Sequence, residues 1–238
     1  MPEHASRRLD WPDCRNARDL GGLPRLGGHT RRGVFVRSDT SANLTQEGSA
    51  AMLAYGIATI VDLRRPSEVV RSPYRGDQIG PVYRHLPLID DDMTARLDEA
   101  PSMLDRYLMM VDECGASIRA IIEALADADG GLVFHCFAGK DRTGIVAALV
   151  LALAGVPDDA IAQDFAETDV QLASRYEEWL AAAPPDRLDE MKEDLRCPPE
   201  RMLEVLHHLR VRWGGVEDYL EAAGMKPAAF DRLIKLLV

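Results

Sequence analysis

The order of apolar and polar residues along the chain predicts strands that alternate with helices. Four short apolar runs bounded by turn residues are typical of buried strands, at residues 34–36, 57–63, 82–86 and 132–134. Apolar residues recur at helical spacing over residues 45–55, 103–111, 118–125, 160–167, 170–182, 198–211, 216–223 and 227–237. This alternation predicts an α/β fold with a largely parallel central sheet flanked by helices, whose ligands bind beyond the carboxyl ends of the strands.

The remaining segments are polar or rich in turn residues. Residues 1–15 are predicted as an irregular arm, and residues 23–29 as a hairpin around two adjacent glycines. Residues 87–101 form a long connection rich in aspartate, and we interpret Asp90, Asp91 and Asp92 there as a solvated loop. With no repeats, linkers or low-complexity segments, residues 1–238 are predicted to form one domain.

The pattern is most distinctive at residues 132–154, where a strand, a loop and a helix follow one another. The loop runs from Cys136 to Arg142, and the ten residues 145–154 are all apolar. A helix that is apolar on all sides is packed inside a protein, and ten residues are too few to cross a bilayer, which needs about 20. The pattern therefore predicts a core helix whose N-terminus points into the loop.

Such a loop is suited to bind an anion. Backbone N–H groups at a helix start have no intrahelical partner, and the helix dipole adds partial positive charge there. The same field stabilises a thiolate, and Cys136 stands at the start of the loop. Arg142 follows after five intervening residues and can bind two phosphate oxygens with its planar guanidinium. The loop therefore combines a candidate nucleophile with a candidate oxyanion clamp.

Composition and charge indicate which partners and which cellular compartment to expect. The chain is 47% hydrophobic and 28% charged, as in ordinary globular proteins, and its net charge of −11 argues against binding to nucleic acid. The first 18 residues lack the apolar segment of a secretory signal, and the four cysteines include no C-x-x-C pair. We expect a cytoplasmic monomer, with signal-less export left open, that has no integral membrane segment and uses neither metal nor cofactor.

Residues 135–144 read His-Cys-Phe-Ala-Gly-Lys-Asp-Arg-Thr-Gly and fit the pattern H-C-x5-R-[ST]-G. This stretch resembles the signature of the protein tyrosine and dual-specificity phosphatase superfamily. Other segments are similar to one bacterial branch of that superfamily: residues 16–22, 37–39, 62–64 with Glu68, and 214–220. The resemblance covers most of the chain. It implies a cysteine-dependent tyrosine phosphatase-like fold with extra helices before the catalytic strand and a helical C-terminal part.

The resemblance also implies a reaction, the hydrolysis of phosphomonoesters through a covalent phosphocysteine without metal. Cys136 is the implied nucleophile, and Arg142 with the backbone amides of the loop is the implied phosphate-binding group. Thr143 is expected to donate to the Cys136 thiolate, and His135 to orient the loop. The residues implied to bind phosphate are Phe137, Ala138, Gly139, Lys140, Asp141 and Arg142.

The general acid has several candidates. The tripeptide Trp-Pro-Asp at residues 11–13 lies more than one hundred residues before the loop, too far to match the acid loop of tyrosine phosphatases. In the resembling branch the acid is the aspartate inside the loop, which here is Asp141. An alternative for Asp141 is a carboxylate that pairs with a basic neighbour and shapes the loop. Asp62 and the cluster at residues 90–92 are the other candidates.

The substrate is predicted to be a phosphorylated protein, with phosphotyrosine as the first expectation. Lysine at the position of Lys140 occurs in phosphatases that act on phosphoinositides, so phosphoinositide substrates are a secondary prediction, together with phosphoserine and phosphothreonine. Asp62 and Arg64 follow a predicted strand and are accessory candidates, although Arg64 could simply pair with Glu68. Residues 88–128 precede the catalytic strand and form a candidate helical lid.

Other functional classes explain the pattern less well. A nucleotide-binding P-loop needs glycine where Phe134 stands and serine or threonine where Asp141 stands. A sulfurtransferase or arsenate reductase also places a cysteine in an anion-binding loop, but the Arg142-Thr143 pair disfavours both. A catalytically inactive phosphopeptide-binding module stays open, and turnover of p-nitrophenyl phosphate would discriminate against it. Zinc chemistry is disfavoured because the histidines lack ligand spacing.

Overall fold

The computed structural model describes residues 6–74 and 80–238. Within these residues a five-stranded sheet has the order β1-β4-β7-β5-β6, and β2 and β3 form a separate hairpin. In the five-stranded sheet the pairing is parallel except between β1 and β4. The strands are β1 (Arg18–Asp19), β2 (Pro24–Arg25), β3 (Gly28–His29), β4 (Phe35–Ser38), β5 (Ile57–Asp62), β6 (Val82–His85) and β7 (Gly131–His135).

The register of the sheet gathers functional residues at one edge. The buried strand β7 lies between β4 and β5, and its last residue, His135, is aligned with Ser38 on one side and Asp62 on the other. Because the three strands are parallel, their carboxyl ends meet at the same edge. Cys136 therefore emerges between the ends of β4 and β5.

Twelve α-helices are present in the described residues, and they surround this sheet. They are α1 (Gln46–Ala54), α2 (Pro66–Arg71), α3 (Asp91–Asp98), α4 (Met103–Glu113), α5 (Gly115–Ala126), α6 (Asp141–Leu153), α7 (Asp158–Gln171), α8 (Ala173–Ala181), α9 (Leu188–Leu195), α10 (Pro199–Trp213), α11 (Val216–Ala222) and α12 (Pro227–Leu237). The predicted α/β class, the helices before the catalytic strand and the helical C-terminal part are confirmed.

The interpretation of Asp90–Asp92 as a solvated loop is right about their exposure to solvent and wrong about the loop, because α3 begins at Asp91. Asp90 caps the N-terminus of α3, with its side chain accepting a hydrogen bond of 2.7 Å from the Met93 amide. Met93 and Leu97, four positions apart, are buried and give this short helix an inward face. The helix was not predicted because its two apolar residues stand among charged ones, which makes the helical pattern in the sequence weak. The short helices α2 and α9 were also not predicted.

The main apolar cluster runs through the length of the chain. Its buried members extend from Leu20 to Leu237 and include the predicted core helix α6. This shared cluster supports the prediction of one domain over residues 1–238, which stays a prediction. None of the described helices combines the length and the apolar character that a membrane crossing requires.

The candidate lid at residues 88–128 contains helices of two kinds. Helices α4 and α5 bury apolar side chains in the main cluster, including Tyr107, Val111, Ile118 and Ile122. Helix α3 adds only Met93 and Leu97 to that cluster, and five of its eight residues are exposed, against one of the eleven in α4. Movement of this segment stays a prediction, and the part with the least core packing is α3.

Candidate active site

Strand β7 and helix α6 place Cys136 and Arg142 at the two ends of one short loop. All five residues of β7 are buried, Cys136 follows directly, and α6 begins at Asp141. Gly139 has a φ of 67° in this loop, and a Cβ at this position would collide with the backbone carbonyl of Ser38. Glycine is therefore required for the loop to approach β4 so closely. The predicted strand-loop-helix arrangement is confirmed.

Side chains behind the loop bind its carbonyl groups. Asn16 donates from Nδ2 to the carbonyls of Ala138 at 2.9 Å and Gly139 at 3.2 Å. Arg37 donates from Nη2 to the Gly139 carbonyl at 2.8 Å. In a trans peptide unit the N–H points opposite to the C=O, so binding these carbonyls from behind directs the following amides toward the other side. The rear contacts thus favour an anion-binding face on the opposite side of the loop.

Asp164 on α7 connects these rear contacts through three arginines. Its carboxylate lies 2.6 Å from Arg7 Nη1, 3.2 Å from Arg18 Nε and 2.8 Å from Arg37 Nη1. Burial alone would raise the pKa of Asp164, but Arg18, Arg37 and Arg7 outweigh it and hold the pKa well below its usual range. We refer to Asn16, Arg7, Arg18, Arg37 and Asp164 as the rear network.

Asp164 was not predicted as part of the site. A sequence signal existed, since the buried residues Ile161, Phe165 and Thr168 recur at helical spacing and place Asp164 on the same face of α7. An aspartate on an inward face needs a buried cationic partner. The sequence did not identify that partner, because the arginines lie more than one hundred residues away along the chain.

In front of the loop, Arg142 forms a bidentate ion pair with Glu68 of α2. The distances are 2.5 Å from Nη1 to Oε2 and 3.0 Å from Nη2 to Oε1. Burial alone would raise the pKa of Glu68, but the hydrogen bonds and charge of Arg142 outweigh it and lower the pKa from 4.5 to about 2. Glu68 therefore stays ionised and fixes the plane of the guanidinium.

Asp141 lies beside Arg142 on the same cleft. Its Oδ1 accepts a hydrogen bond from the hydroxyl of Tyr107 and lies 3.5 Å from Lys140 Nζ. The side chain of Asp141 is 33% exposed, so it is accessible to a substrate. The apolar wall of this cleft is formed by Ile89 and Leu97 at α3 and by Met103 and Met110 of α4.

Lys140 points toward the C-terminal helices. Its side chain is buried, and its ammonium donates to the backbone carbonyl of Asp194 in α9. This contact shapes the end of the loop. It also gives Lys140 a structural role beside the predicted phosphate-binding one.

His135 and Thr143 are both buried next to Cys136 in the chain. His135 Nε2 lies 2.8 Å from Ser41 Oγ, and Nδ1 lies 3.0 Å from the Cys136 carbonyl. Burial lowers the pKa of His135, although Asp62 acts in the opposite direction. Thr143 Oγ1 is buried and has no hydrogen-bond partner among the described residues. Its hydroxyl is therefore available to a neighbouring thiolate.

Asp62 and Arg64 form a fully buried pair. Arg64 Nε and Nη2 donate to the Asp62 carboxylate at 2.9 and 2.6 Å, and the Tyr83 hydroxyl donates to it at 2.7 Å. Burial alone would raise the pKa of Asp62, but the hydrogen bonds and charge of Arg64, together with the nearby His135, lower it to about 2. Asp62 also lies 3.8 Å from His135 Nδ1. The structure therefore places this pair beneath the sheet edge, and Arg64 pairs with Asp62 and not with Glu68.

Phe137 projects from the loop toward an aromatic group on α8. Its side chain is 50% exposed, and its ring stacks on Trp179 with centroids 6.1 Å apart and an interplanar angle of 18°. The Arg175 guanidinium lies over Trp179 at 5.7 Å. Trp179 and Arg175 were not predicted as site residues. Only the folded chain brings α8 to the loop.

The other cysteines differ from Cys136 in their surroundings. Burial raises the pKa of Cys114 to about 11 and that of Cys197 to about 12. Burial and the neighbouring Asp39 carboxylate raise the pKa of Cys14 well above its usual value. These three thiols are therefore protonated at neutral pH. All four cysteines are free.

Comparisons with known proteins identify a family and several relatives. The model of the tyrosine phosphatase family matches residues 9–238. A tyrosine-protein phosphatase of Nostoc commune is 28% identical over 221 residues, which cover 84% of this chain and 72% of that protein. A provisionally named tyrosine-protein phosphatase of Cupriavidus necator is 30% identical over 233 residues, which cover 90% and 83%.

Two further proteins are similar to this chain. The triple specificity protein phosphatase PtpB of Mycobacterium tuberculosis is 29% identical over 210 residues, which cover 72% of this chain and 74% of that protein. The crystal structure of TpbA from P. aeruginosa aligns with a TM-score of 0.42 at 14% identity, over 82% of this chain and 89% of that one. The family match extends over nearly the whole chain, and the chain therefore belongs to the tyrosine phosphatase family.

Proposed function

We propose that Cys136 hydrolyses phosphotyrosine in proteins through a phosphocysteine intermediate. The observation that carries this proposal is the single loop between β7 and α6, which holds Cys136 at one end and the clamped guanidinium of Arg142 at the other. Family membership supplies the class of enzyme, a protein-tyrosine phosphatase. The roles of individual residues follow from their geometry.

In the first step the Cys136 thiolate attacks phosphorus in line with the ester bond. The S–P bond forms while the P–O bond breaks, and its electron pair passes to the ester oxygen. Asp141 gives its proton to that oxygen, so a neutral alcohol leaves. Arg142 and the backbone amides of residues 137–142 bind the three non-bridging oxygens, where negative charge develops.

In the second step water replaces the thiolate on phosphorus. Asp141, now ionised, accepts a proton from the attacking water while a P–O bond forms and the S–P bond breaks. The electron pair returns to Cys136 Sγ. The Thr143 hydroxyl donates to the departing thiolate, and its lack of another partner among the described residues supports this role. His135 positions the loop through its contact with the Cys136 carbonyl.

Asp62 and Arg64 have no place in these steps. Their mutual pairing and full burial favour a structural role at the end of β5. Asp141 is favoured as the acid because its carboxylate is partly exposed and lies beside Arg142 on the cleft.

Phosphotyrosine is the substrate that we place first. Phosphoserine and phosphothreonine come second, supported by the triple specificity in the name of the M. tuberculosis relative. Phosphoinositides also come second, because Lys140, the residue that suggested them, binds the Asp194 carbonyl. A monomer, a cytoplasmic location and metal-free chemistry stay predictions. A sulfurtransferase-like or arsenate reductase-like activity is disfavoured by the family match.

Replacement of Cys136 by serine tests the mechanism. We expect kcat on a phosphotyrosine peptide to fall by at least roughly 10⁴-fold, as is usual when a nucleophile is removed. Binding of the peptide, measured by calorimetry, should persist because Arg142 and the amides remain. Cys114→Ser is the matched control and should leave kcat unchanged.

Two outcomes would contradict the proposal. One is Cys136→Ser enzyme that still hydrolyses the peptide, because the nucleophile would then be another group. The other is a wild-type protein that binds the peptide without hydrolysing it or p-nitrophenyl phosphate, which would identify a phosphopeptide-binding module.

A further inference from the structure

Tyr107 in α4 has a fully buried side chain, and its hydroxyl donates a hydrogen bond to Asp141 Oδ1. The ring is fixed on two sides. It meets the ring of Phe165 edge-on, with centroids 6.0 Å apart and an interplanar angle of 82°, and the Arg201 guanidinium lies 5.9 Å from its centroid. A buried tyrosine hydroxyl requires a polar partner. Here that partner is the carboxylate of the proposed general acid.

We propose that Tyr107 is a positioning residue that fixes the carboxyl group of Asp141 and directs its acidic proton to Oδ2. This inference rests on the proposed function, in which Asp141 is the general acid. It assigns to α4 a part in catalysis although Tyr107 does not touch the substrate.

The first argument is the division of contacts between the two carboxyl oxygens. Oδ1 accepts the Tyr107 hydroxyl and lies 3.5 Å from Lys140 Nζ. Lys140 is itself held by the Asp194 carbonyl. An oxygen that accepts from one donor and faces a cation is a poor site for the acidic proton. The proton of the acid form therefore belongs on Oδ2, and the fixed Oδ1 determines where Oδ2 points.

The second argument is that Tyr107 keeps its proton. Burial and the neighbouring Asp141 carboxylate raise the pKa of Tyr107 well above its ordinary value of 10.0. The hydroxyl is therefore a donor at every pH at which the enzyme would be assayed. Its hydrogen bond to Asp141 Oδ1 is therefore present in every such assay.

Tyr107→Phe removes the hydroxyl and keeps the ring. Two substrates with different leaving groups should reveal the effect, because only a poor leaving group needs the proton. We expect kcat to fall roughly 10-fold on phenyl phosphate and less than about 2-fold on p-nitrophenyl phosphate, a part of the 10²–10⁴-fold that a general acid supplies.

Tyr219→Phe is the matched control. Tyr219 is also buried, and its hydroxyl donates to the Val111 carbonyl in the same helix at 2.6 Å. Both variants lose one buried hydrogen bond to or from α4, so both should melt at similarly reduced temperatures. Only Tyr107→Phe should change the dependence of kcat on the leaving group. A Tyr107→Phe enzyme whose leaving-group dependence matches that of Tyr219→Phe would overturn the inference.

Asp141→Asn separates this inference from the proposed function. If Asp141 is the acid, Asp141→Asn should lower kcat on phenyl phosphate far more than on p-nitrophenyl phosphate, and adding Tyr107→Phe should cause little further loss. Equal losses on both substrates in Asp141→Asn would remove the acid assignment and this inference with it. A selective loss in Asp141→Asn without any in Tyr107→Phe would overturn only the role of Tyr107.

Discussion

Two acid–arginine groups contact the loop between β7 and α6 from opposite sides, and they hold different parts of it. Behind the loop, Asp164 binds Arg18 and Arg37, with all three side chains at most 1% exposed. In front, Glu68 binds Arg142, with side chains 11% and 13% exposed. The rear network reaches backbone carbonyls. The front pair includes the guanidinium that is proposed to bind the substrate.

The difference follows from what each side must do during turnover. Rear contacts can be fully buried because they are the same with and without substrate, and burial strengthens their hydrogen bonds. The front arginine, Arg142, is proposed to bind phosphate, a role that requires accessible donors, and it lines the cleft. We expect changes behind the loop to reduce stability first, and changes in front to reduce activity first.

The largest expected effect is that of Asp164→Asn. Arg18 and Arg37 would remain buried without their counter-charge, so the free energy of unfolding in urea should fall by about 3–5 kcal/mol. Activity should also fall, because Arg37 would no longer be held at the Gly139 carbonyl. The control is Asp158→Asn in the same helix, whose ion pair with the half-exposed Arg210 should contribute only about 0–1 kcal/mol. If Asp164→Asn and Asp158→Asn were equally stable, the rear network would not be a major source of stability.

The Asp62–Arg64 pair is also fully buried but lies outside the rear network. It therefore tests whether burial by itself makes an ion pair important for stability. Asp62 has its pKa lowered from 3.8 to about 2 in the folded chain. Its contribution to stability is therefore complete above about pH 4 and is lost as the pH falls toward 2, an amount of about 2 kcal/mol. Urea unfolding between pH 5 and 2 should show this loss in the wild type, and Asp62→Asn should flatten it by that amount.

Glu68 titrates in the same pH window, since its pKa is also about 2. The wild-type profile therefore contains the contributions of both carboxylates to the free energy of unfolding. The contribution of Asp62 is obtained from the difference between wild type and Asp62→Asn. An unchanged slope in Asp62→Asn would indicate that the pKa of Asp62 is the same in the folded and the unfolded chain.

The smallest expected effect is that of Glu68→Gln. An amide offers one acceptor oxygen in place of two, so Arg142 loses its bidentate hold and adopts the phosphate-binding orientation less often. We expect kcat/KM on p-nitrophenyl phosphate to fall about 10-fold, which equals about 1.4 kcal/mol. Glu123→Gln, which disrupts a partly exposed pair with Arg119 on α5, is the matched control. If Glu68→Gln greatly reduced stability and left kcat/KM unchanged, the front pair would serve stability and not activity, and the expected difference between front and rear would be wrong.

Much of the fold was predictable because its signals are local. The apolar runs gave the strands, and the period of the apolar residues gave helices such as α12, whose bounds agree with the prediction. Helix α3 was missed because its inward face consists of only Met93 and Leu97 among charged neighbours. Residues 1–15 were predicted as an irregular arm, yet within the described part of that segment Trp11 is buried and packs edge-on against Tyr55.

The sequence by itself determined the loop, because Cys136, Gly139 and Arg142 lie within seven residues and their spacing is a local property. It also determined the apolar helix that follows. Only the tertiary structure decided which distant groups act on that loop: Tyr107 on Asp141, Glu68 on Arg142, and Asp164 behind it. These contacts join residues 34, 74 and 127 positions apart. A pattern in sequence records which side of a helix faces inward, whereas the partner on that side depends on how the elements pack.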